Sequence, residues 1–322
     1  MCKFNKLLRD SYNIPLIYNM NTVIVSVNPK AGRRNSAARV DAFVETLQKE
    51  FGFVVEVKTD LGEVAARANE LHAVGELRAL VGVGGDGTAA ELTNRTAPGT
   101  PIALLPSGTA NLLAKHIKYK TNPVKMARII GNGTVKSFDA ATVNGRLFLA
   151  MVGCGFDAEV VDQVHTARMS NPKGAHINYF SYIKPILRSI AGYKFPKLKI
   201  SVYNEAQAVE QEFIAAWAFV CNIPRYGWGV PLAPQAKPDD GLLDLCVFRG
   251  GSLCGGIRLT IAAQLGGMHR FLPGCSLIQG KRFHIETLEP DIDVPFQFDG
   301  DPGGKLPIDI ELQPGRLTLI CP

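Results

Sequence analysis

The stretch LVGVGGDGTAAELTNR, Leu80 to Arg95, decides how the rest of the chain is read. An apolar run, LVGV (80–83), enters the turn Gly84-Gly85-Asp86-Gly87-Thr88, and a helix-like pattern follows. The turn has two readings. One is a tight connection between a buried strand and a helix. The other is a place where backbone must approach phosphate. Glycine tolerates positive φ and lets a ligand touch main chain. A helix N-terminus offers unpaired N–H groups and a dipole that suits anions. Asp86 is the odd member, because an acid repels phosphate unless a metal or a hydrogen-bonded network intervenes. No Lys follows the glycines, so this is not the G-x-x-x-x-G-K-[ST] loop.

The same strand–turn–helix pattern surrounds it. TVIVSV (22–27) is a short apolar strand, and residues 36–50 have apolar positions at helical spacing (Ala38, Val40, Phe43, Val44, Leu47). FVVEVK (53–58) is the next strand and 62–74 the next helix, while IALL (102–105) is a further buried strand. Continuous apolar strands alternating with helices predict a parallel sheet covered on both faces. Ligands of such sheets bind at the carboxyl ends of the strands. Two more loops stand at those ends. NPKAGRR (28–34) carries Gly32 with Lys30, Arg33 and Arg34, and by itself also reads as a solvated basic loop. PSGTAN (106–111) supplies a hydroxyl, an amide and another glycine turn. Three loops built for close backbone approach converge on one rim.

After about Lys136 the pattern changes. FDAATV-NG-RLFLAMV (138–152) is two strands around Asn144-Gly145, a type I′ hairpin signal. Helical patterns follow at 157–169 and 176–192, then strand patterns at 197–204, 210–222, 242–248, 275–288 and 293–299. The expected domains are an α/β domain over 20–137 plus 302–322 and a β-rich domain over 138–301. Residues 1–19 read as an extension outside the fold.

With 322 residues, 46% hydrophobic and 20% charged, the chain has ample length for two cores. A net charge of +6 suits contact with anionic surfaces but is too small to argue for nucleic acid. Seven scattered cysteines without a C-x-x-C pair read as reduced thiols of a cytoplasmic protein. Phe213 to Cys221 is the longest apolar run, well short of the roughly 18 residues of a membrane span, and reads as a core strand. The six histidines show no metal-ligand spacing.

NPKAG (28–32), GGDGT with Glu91 (84–91), PSGTAN (106–111), GCGFDA (153–158), DDGLLD (239–244) and FDGD (298–301) occur in this order. Together they resemble the diacylglycerol kinase catalytic-domain family, which includes bacterial soluble lipid kinases and sphingosine kinases. The resemblance spans Thr22 to Pro322. It implies an N-terminal parallel-sheet α/β domain, a C-terminal β-sandwich domain, and ATP in the cleft between them. Nucleotide contacts are implied at Asn28, Pro29, Lys30, Ala31, Gly32, Thr59, Gly84, Gly85, Asp86, Gly87, Thr88, Glu91, Ser107, Gly108, Thr109 and Asn111. Bacterial members carry a general-base Glu where this chain has Asp301, one methylene shorter, and Asp299 is the alternative base. Asp86, Asp299 and Asp301 are also candidates for metal organisation. A structural Mg²⁺ is implied at Asp240, with main-chain oxygens of Lys237 and Leu242. FDGD also reads as a hairpin turn, and Asp157 as an acceptor contact or a helix N-cap.

The implied function is an ATP- and Mg²⁺-dependent lipid kinase that phosphorylates the hydroxyl of a lipid alcohol, diacylglycerol or a related lipid. The expected partners are that lipid and the membrane surface at its inner face, with no nucleic acid, and a homodimer stays open. Aromatic and basic residues at 179–199 are a candidate interfacial face. The rival readings are a soluble-metabolite kinase such as NAD kinase, which shares GGDGT, and a non-catalytic nucleotide- or lipid-binding module.

Overall fold

The computed structural model describes residues 20–27, 36–108, 110–169 and 192–322. The expected extension 1–19, the NPKAGRR loop with Asn28, Pro29, Lys30, Ala31 and Gly32, Thr109, and most of the expected 176–192 helix and 179–199 face lie outside the described residues.

The first half follows the alternation read from the sequence. Strands β1 (Thr22–Val27), β2 (Val54–Lys58), β3 (Leu77–Gly84) and β4 (Pro101–Pro106) interleave with helices α1 (Ser36–Phe51), α2 (Leu61–Ala73) and α3 (Asp86–Arg95). They pair in parallel in the order β2-β1-β3-β4. β1, β3 and β4 are buried along nearly their whole length, because helices cover both faces. α2 starts at Asp60, whose side chain accepts the Glu63 N–H, and α5 (Pro123–Asn132) starts at Asn122, which accepts from Lys125 N. Between them lies the short α4 (Leu112–His116).

The second half is two stacked sheets. β5 (Thr134–Val143) and β6 (Arg146–Phe148) form the expected hairpin, with Asn144 and Gly145 both at positive φ, as a type I′ turn requires. Then come β7 (Met151–Cys154), α6 (Phe156–Met169), β8 (Leu198–Tyr203), β9 (Val209–Ala215), β10 (Trp217–Cys221), β11 (Leu243–Phe248), α7 (Leu253–Gln264), β12 (Cys275–Gly280), β13 (Arg282–Thr287), β14 (Pro295–Phe298), β15 (Asp301–Lys305) and β16 (Ile308–Cys321). Six of these strands make an antiparallel sheet, β12-β11-β10-β7-β14-β15. The others extend the first sheet through β16, β13, β8 and β9. The expected class, a parallel-sheet domain followed by a β-sandwich, is the class found.

Two expected strands differ from the fold. The 210–222 run breaks at Ala216: β9 lies in the large sheet and β10 in the six-stranded one. The 275–288 run breaks in the same way between β12 and β13. Apolar alternation reports that a strand has a buried face, but not which sheet it joins. The expected domain limits also meet a continuous architecture. β5 crosses the 137/138 limit, and β15, which crosses the 301/302 limit, pairs with β14 of the six-stranded sheet. β16 pairs with β13 and β5 and ends in parallel register with β4 (Thr318 with Pro101, Leu319 with Ile102). The two halves thus share one strand.

Three apolar clusters follow. One lies around β1, β3 and β4. A second fills the space between the sheets, with Val152, Cys154, Ala218, Val220, Leu245 and Val247 facing Ile200, Phe283 and Ile310. The third covers the outer face of the six-stranded sheet, where Met151, Trp217, Phe219 and Phe248 meet Phe156 of α6 and Leu259 of α7. Alternate residues of β7, β10 and β11 therefore feed two different cores.

Candidate active site

The glycine turn is shaped first by its own neighbours. A Cβ on Gly84 would fall 2.0 Å from Thr88 Oγ1, so glycine there lets the Thr88 side chain fold back against the strand end. A Cβ on Gly85 would come 3.3 Å from the Gly108 Cα, and one on Gly108 would come 3.0 Å from the Gly85 Cα. The GGDGT and PSGTAN loops thus touch backbone to backbone, and Ser107 N donates to Gly84 O at 2.9 Å. Asn111, in the left-handed region, closes the second loop on itself: its Oδ1 accepts from Gly108 N and its Nδ2 donates to Gly108 O.

Asp86 resolves the oddity of an acid in this turn. Its Oδ2 accepts the Leu112 N–H at 2.7 Å and its Oδ1 the Leu113 N–H at 2.9 Å. The carboxyl is buried, which raises its pKa, and these N–H bonds oppose that rise. It is directed onto the start of α4 and bolts two loops together. Gly85 caps α3 with no side-chain hydrogen bond, so no side chain of the cap occupies the N–H groups of the first turn. Glu91 sits on the next turn of α3, 2.6 Å from Arg95 Nε. Thr59 is exposed just beyond the end of β2, at the carboxyl rim but on the edge strand.

The FDGD segment arrives from the other sheet. β14 and β15 form a two-residue hairpin with Phe298 opposite Asp301, and Asp299 and Gly300 both have positive φ. The hairpin reading of these residues is therefore satisfied, and it also presents an acid. Asp299 anchors the turn: its carboxylate accepts Leu149 N (2.7 Å), Ala150 N (2.7 Å) and Met151 N (3.0 Å). Burial pushes its pKa up to about 7, with the Asp86 charge adding to the rise and the three N–H bonds opposing it. Asp301 is exposed, and a Cβ on Gly87 would lie 3.3 Å from its Oδ2. The hairpin of one domain thus sets a carboxylate over the first turn of α3 in the other.

The candidate metal organisers are not gathered as ligands. The Asp86 and Asp299 oxygens are taken by main-chain N–H groups, and among the described residues no group of three or more His, Cys, Asp or Glu is placed to hold a metal. The DDGLLD loop offers a different donor set. Asp240 is exposed and its Oδ1 accepts Leu242 N at 3.1 Å. Buried Asp139 holds the loop by accepting Gly241 N at 2.8 Å and Gly315 N at 2.8 Å. One exposed carboxylate with main-chain oxygens is an all-oxygen set of the kind magnesium accepts, which is the donor chemistry of the ion the resemblance implies at Lys237, Asp240 and Leu242.

Asp157 is the second residue of α6, so it lies inside the helix and is not its N-cap. Its Oδ1 accepts the Tyr226 hydroxyl and its Oδ2 the Gln297 Nε2 at 3.0 Å. Desolvation pushes its pKa up to about 6 against those two bonds. Gln297 Oε1 in turn accepts Gly300 N at 2.9 Å, inside the FDGD turn. Asp157 is therefore tied to that turn through Gln297. Asp139, Tyr226 and Gln297 were not singled out from the sequence. Gln297 lies two residues before Asp299 and Asp139 lies inside FDAATV, so both had a neighbouring motif as a signal; Tyr226 had none.

A parallel-sheet domain with glycine loops at its rim, met by a β-sandwich that brings an acid to that rim, is the plan of a two-domain kinase. The comparisons agree. The diacylglycerol kinase catalytic domain matches residues 22–143, and the YegS C-terminal NAD kinase beta sandwich-like domain matches residues 150–321, more than half of the chain. The chain belongs to this family of diacylglycerol and lipid kinases and is a phosphotransferase. It is 27% identical to a diacylglycerol kinase of Mycobacterium tuberculosis over 95% of this chain and 96% of that one. It is 28% identical to a Pseudomonas aeruginosa protein named as a probable YegS-like lipid kinase, covering 93% of this chain and 94% of that one. A crystal structure of a diacylglycerol kinase from Bacillus anthracis superposes with a TM-score of 0.68 at 26% identity, over 94% of this chain and 97% of that one. Among the described residues, no helix is long and apolar enough to cross a membrane.

Proposed function

We propose that the chain transfers the γ-phosphate of ATP to the hydroxyl of a lipid alcohol, diacylglycerol or a close relative, at a membrane surface. The observation that carries this reading is the Asp301 carboxylate set over Gly87, at the mouth of the glycine turn. Phosphoryl transfer asks for positioning, charge neutralisation and a base for the acceptor hydroxyl. Asp301 is the base: its exposed carboxylate takes the hydroxyl proton as the acceptor oxygen approaches the γ-phosphorus. Asp299, its oxygens committed to Leu149, Ala150 and Met151, holds the turn instead. The first turn of α3 and the packed loops at 84–88 and 106–111 receive the phosphates, and Asp86 keeps those loops in register. Lys237, Asp240 and Leu242 would hold a Mg²⁺, which stabilises their loop, and Mg²⁺ bound to ATP neutralises phosphate charge.

The test is transfer of labelled γ-phosphate from Mg²⁺-ATP into a lipid extract in detergent micelles. A labelled lipid that disappears in Asp301→Asn supports the reading and names the acceptor. Labelled NADP from NAD, with no labelled lipid, would replace it by a soluble-metabolite kinase.

A further inference from the structure

The outer face of α7 is apolar where a helix facing water is normally polar. Its inner face is well seated. Leu259 and Ala263 are buried, and a Cβ on Gly256 would fall 2.6 Å from Trp217 Cζ2, so the helix lies close on the sheet. The opposite face carries Ile257, Ile261 and Leu265 at four-residue spacing, which places them along one stripe. The stripe continues into a 3-10 turn, Met268–Phe271. These five apolar side chains are between 50% and 70% exposed. The turn cannot fold them inward, because buried His269 pins it through Nε2 to Leu232 O at 2.9 Å.

The charges beside the stripe are of one sign. Arg258 and Arg270 are exposed, and the Arg270 guanidinium stacks on the Phe271 ring, 4.7 Å from its centroid. From Leu245 to Ile285 the sequence has no Asp or Glu, while it has Arg249, Arg258, Arg270, Lys281 and Arg282. An apolar stripe with arginines and no acids is the pattern of a helix lying in the interface of an anionic bilayer. A second copy of the chain fits less well. A two-fold interface places each patch against itself, so arginines would meet arginines with no acid in the segment to neutralise them.

We infer that α7 and the Met268–Phe271 turn are the docking surface of this protein for an anionic lipid bilayer, with Ile257, Ile261, Leu265, Met268 and Phe271 entering the acyl boundary and Arg258 and Arg270 at the lipid phosphates. The inference rests on the proposed function, since a kinase of membrane lipids must work at a bilayer. α7 covers the same outer face of the six-stranded sheet as Phe156 of α6, whose next residue is linked through Gln297 to the FDGD turn. The residues of this surface lie outside the 179–199 stretch of sequence expected as an interfacial face.

Flotation of the full chain on phosphatidylcholine vesicles, with and without phosphatidylglycerol, tests it. The wild type should bind the mixed vesicles and release with added salt. Ile261→Ser with Phe271→Ser should weaken that binding by about tenfold or more. Arg258→Gln with Arg270→Gln, which leaves the apolar face intact, should remove the preference for phosphatidylglycerol, and it carries the test by itself if the first variant does not fold. Wild-type binding by either folded variant overturns the inference. So does a wild-type dimer, seen by light scattering, that the serine variant dissociates without change in vesicle binding. Phosphorylation of lipid in detergent micelles separates the two readings. If wild type labels no lipid there, the proposed function fails and flotation still decides the surface. If the variants label micellar lipid normally but vesicle lipid poorly, both stand.

Discussion

The Asp301 carboxylate lies over Gly87, so close that a methyl group on that glycine would sit 3.3 Å from Oδ2. The two residues are more than 200 positions apart in the chain: one is in helix α3, the other in a strand of the six-stranded sheet. Their contact joins the hairpin that presents an acid to the helix end suited to an anion.

Asp301→Asn keeps the shape of the side chain and removes its basicity. Turnover should fall about 10²–10⁴-fold while nucleotide affinity changes little. Steady-state kinetics with parallel nucleotide titration checks this. Undiminished turnover would assign the base elsewhere.

Asp86→Ala removes both acceptors of the Leu112 and Leu113 N–H groups. Hydrogen bonds to a charged group contribute about 1.5–3 kcal/mol each, and the start of α4 should loosen. Hydrogen exchange should rise at 106–116, and nucleotide affinity should drop. Unchanged exchange there would mean that Asp86 does not couple the two loops.

Gly153→Ala tests the polar cluster beneath the hairpin. The added Cβ would meet Asp157 Oδ2 at 2.6 Å and Gln297 Nε2 at 2.8 Å. Overpacking of this kind costs about 1–3 kcal/mol. Urea denaturation should show that loss, and kcat should fall because Gln297 also holds Gly300. A neutral stability effect would show that the cluster relaxes freely.

Asp157 gives a pH prediction with a definite sign. Its folded pKa of about 6 stands above the ordinary 3.8. Between those values the folded chain holds a proton that the unfolded chain has released. Its contribution to stability is therefore full below 3.8 and is lost as pH rises through about 6. Asp157→Asn removes this dependence. The stability difference, wild type minus variant, should decline from pH 4 to about pH 7, as followed by urea unfolding at several pH values. A difference independent of pH would mean that Asp157 ionises as in an unfolded chain.

Much of the first domain was legible. β1, β3 and β4 appear as apolar runs because helices cover both their faces, and the Asn144-Gly145 hairpin because only certain residues accept its turn. The FDGD and GGDGT segments were visible as motifs. Their tasks were less visible. Whether Asp86 faces phosphate or main chain depends on where α4 begins, and that is set by contacts between residues 26 and 27 positions apart. α7 was missed, since glycines at 255 and 256 lower its helix propensity, and what Gly256 accommodates, Trp217, is distant in sequence.

Local chemistry thus determined the elements and the ordered motifs: buried strand runs, positive-φ turns and glycine loops each follow from the steric and solvent demands of a few adjacent residues. Tertiary structure alone decided the partition of β9 from β10 and β12 from β13 between sheets, the carriage of β16 through both halves, and the choice of Asp301 over Asp299 as the free acid. The physical reason is the same in each case. A strand's period marks a buried face without naming the surface that buries it, and a carboxylate's role depends on which distant N–H groups reach it first.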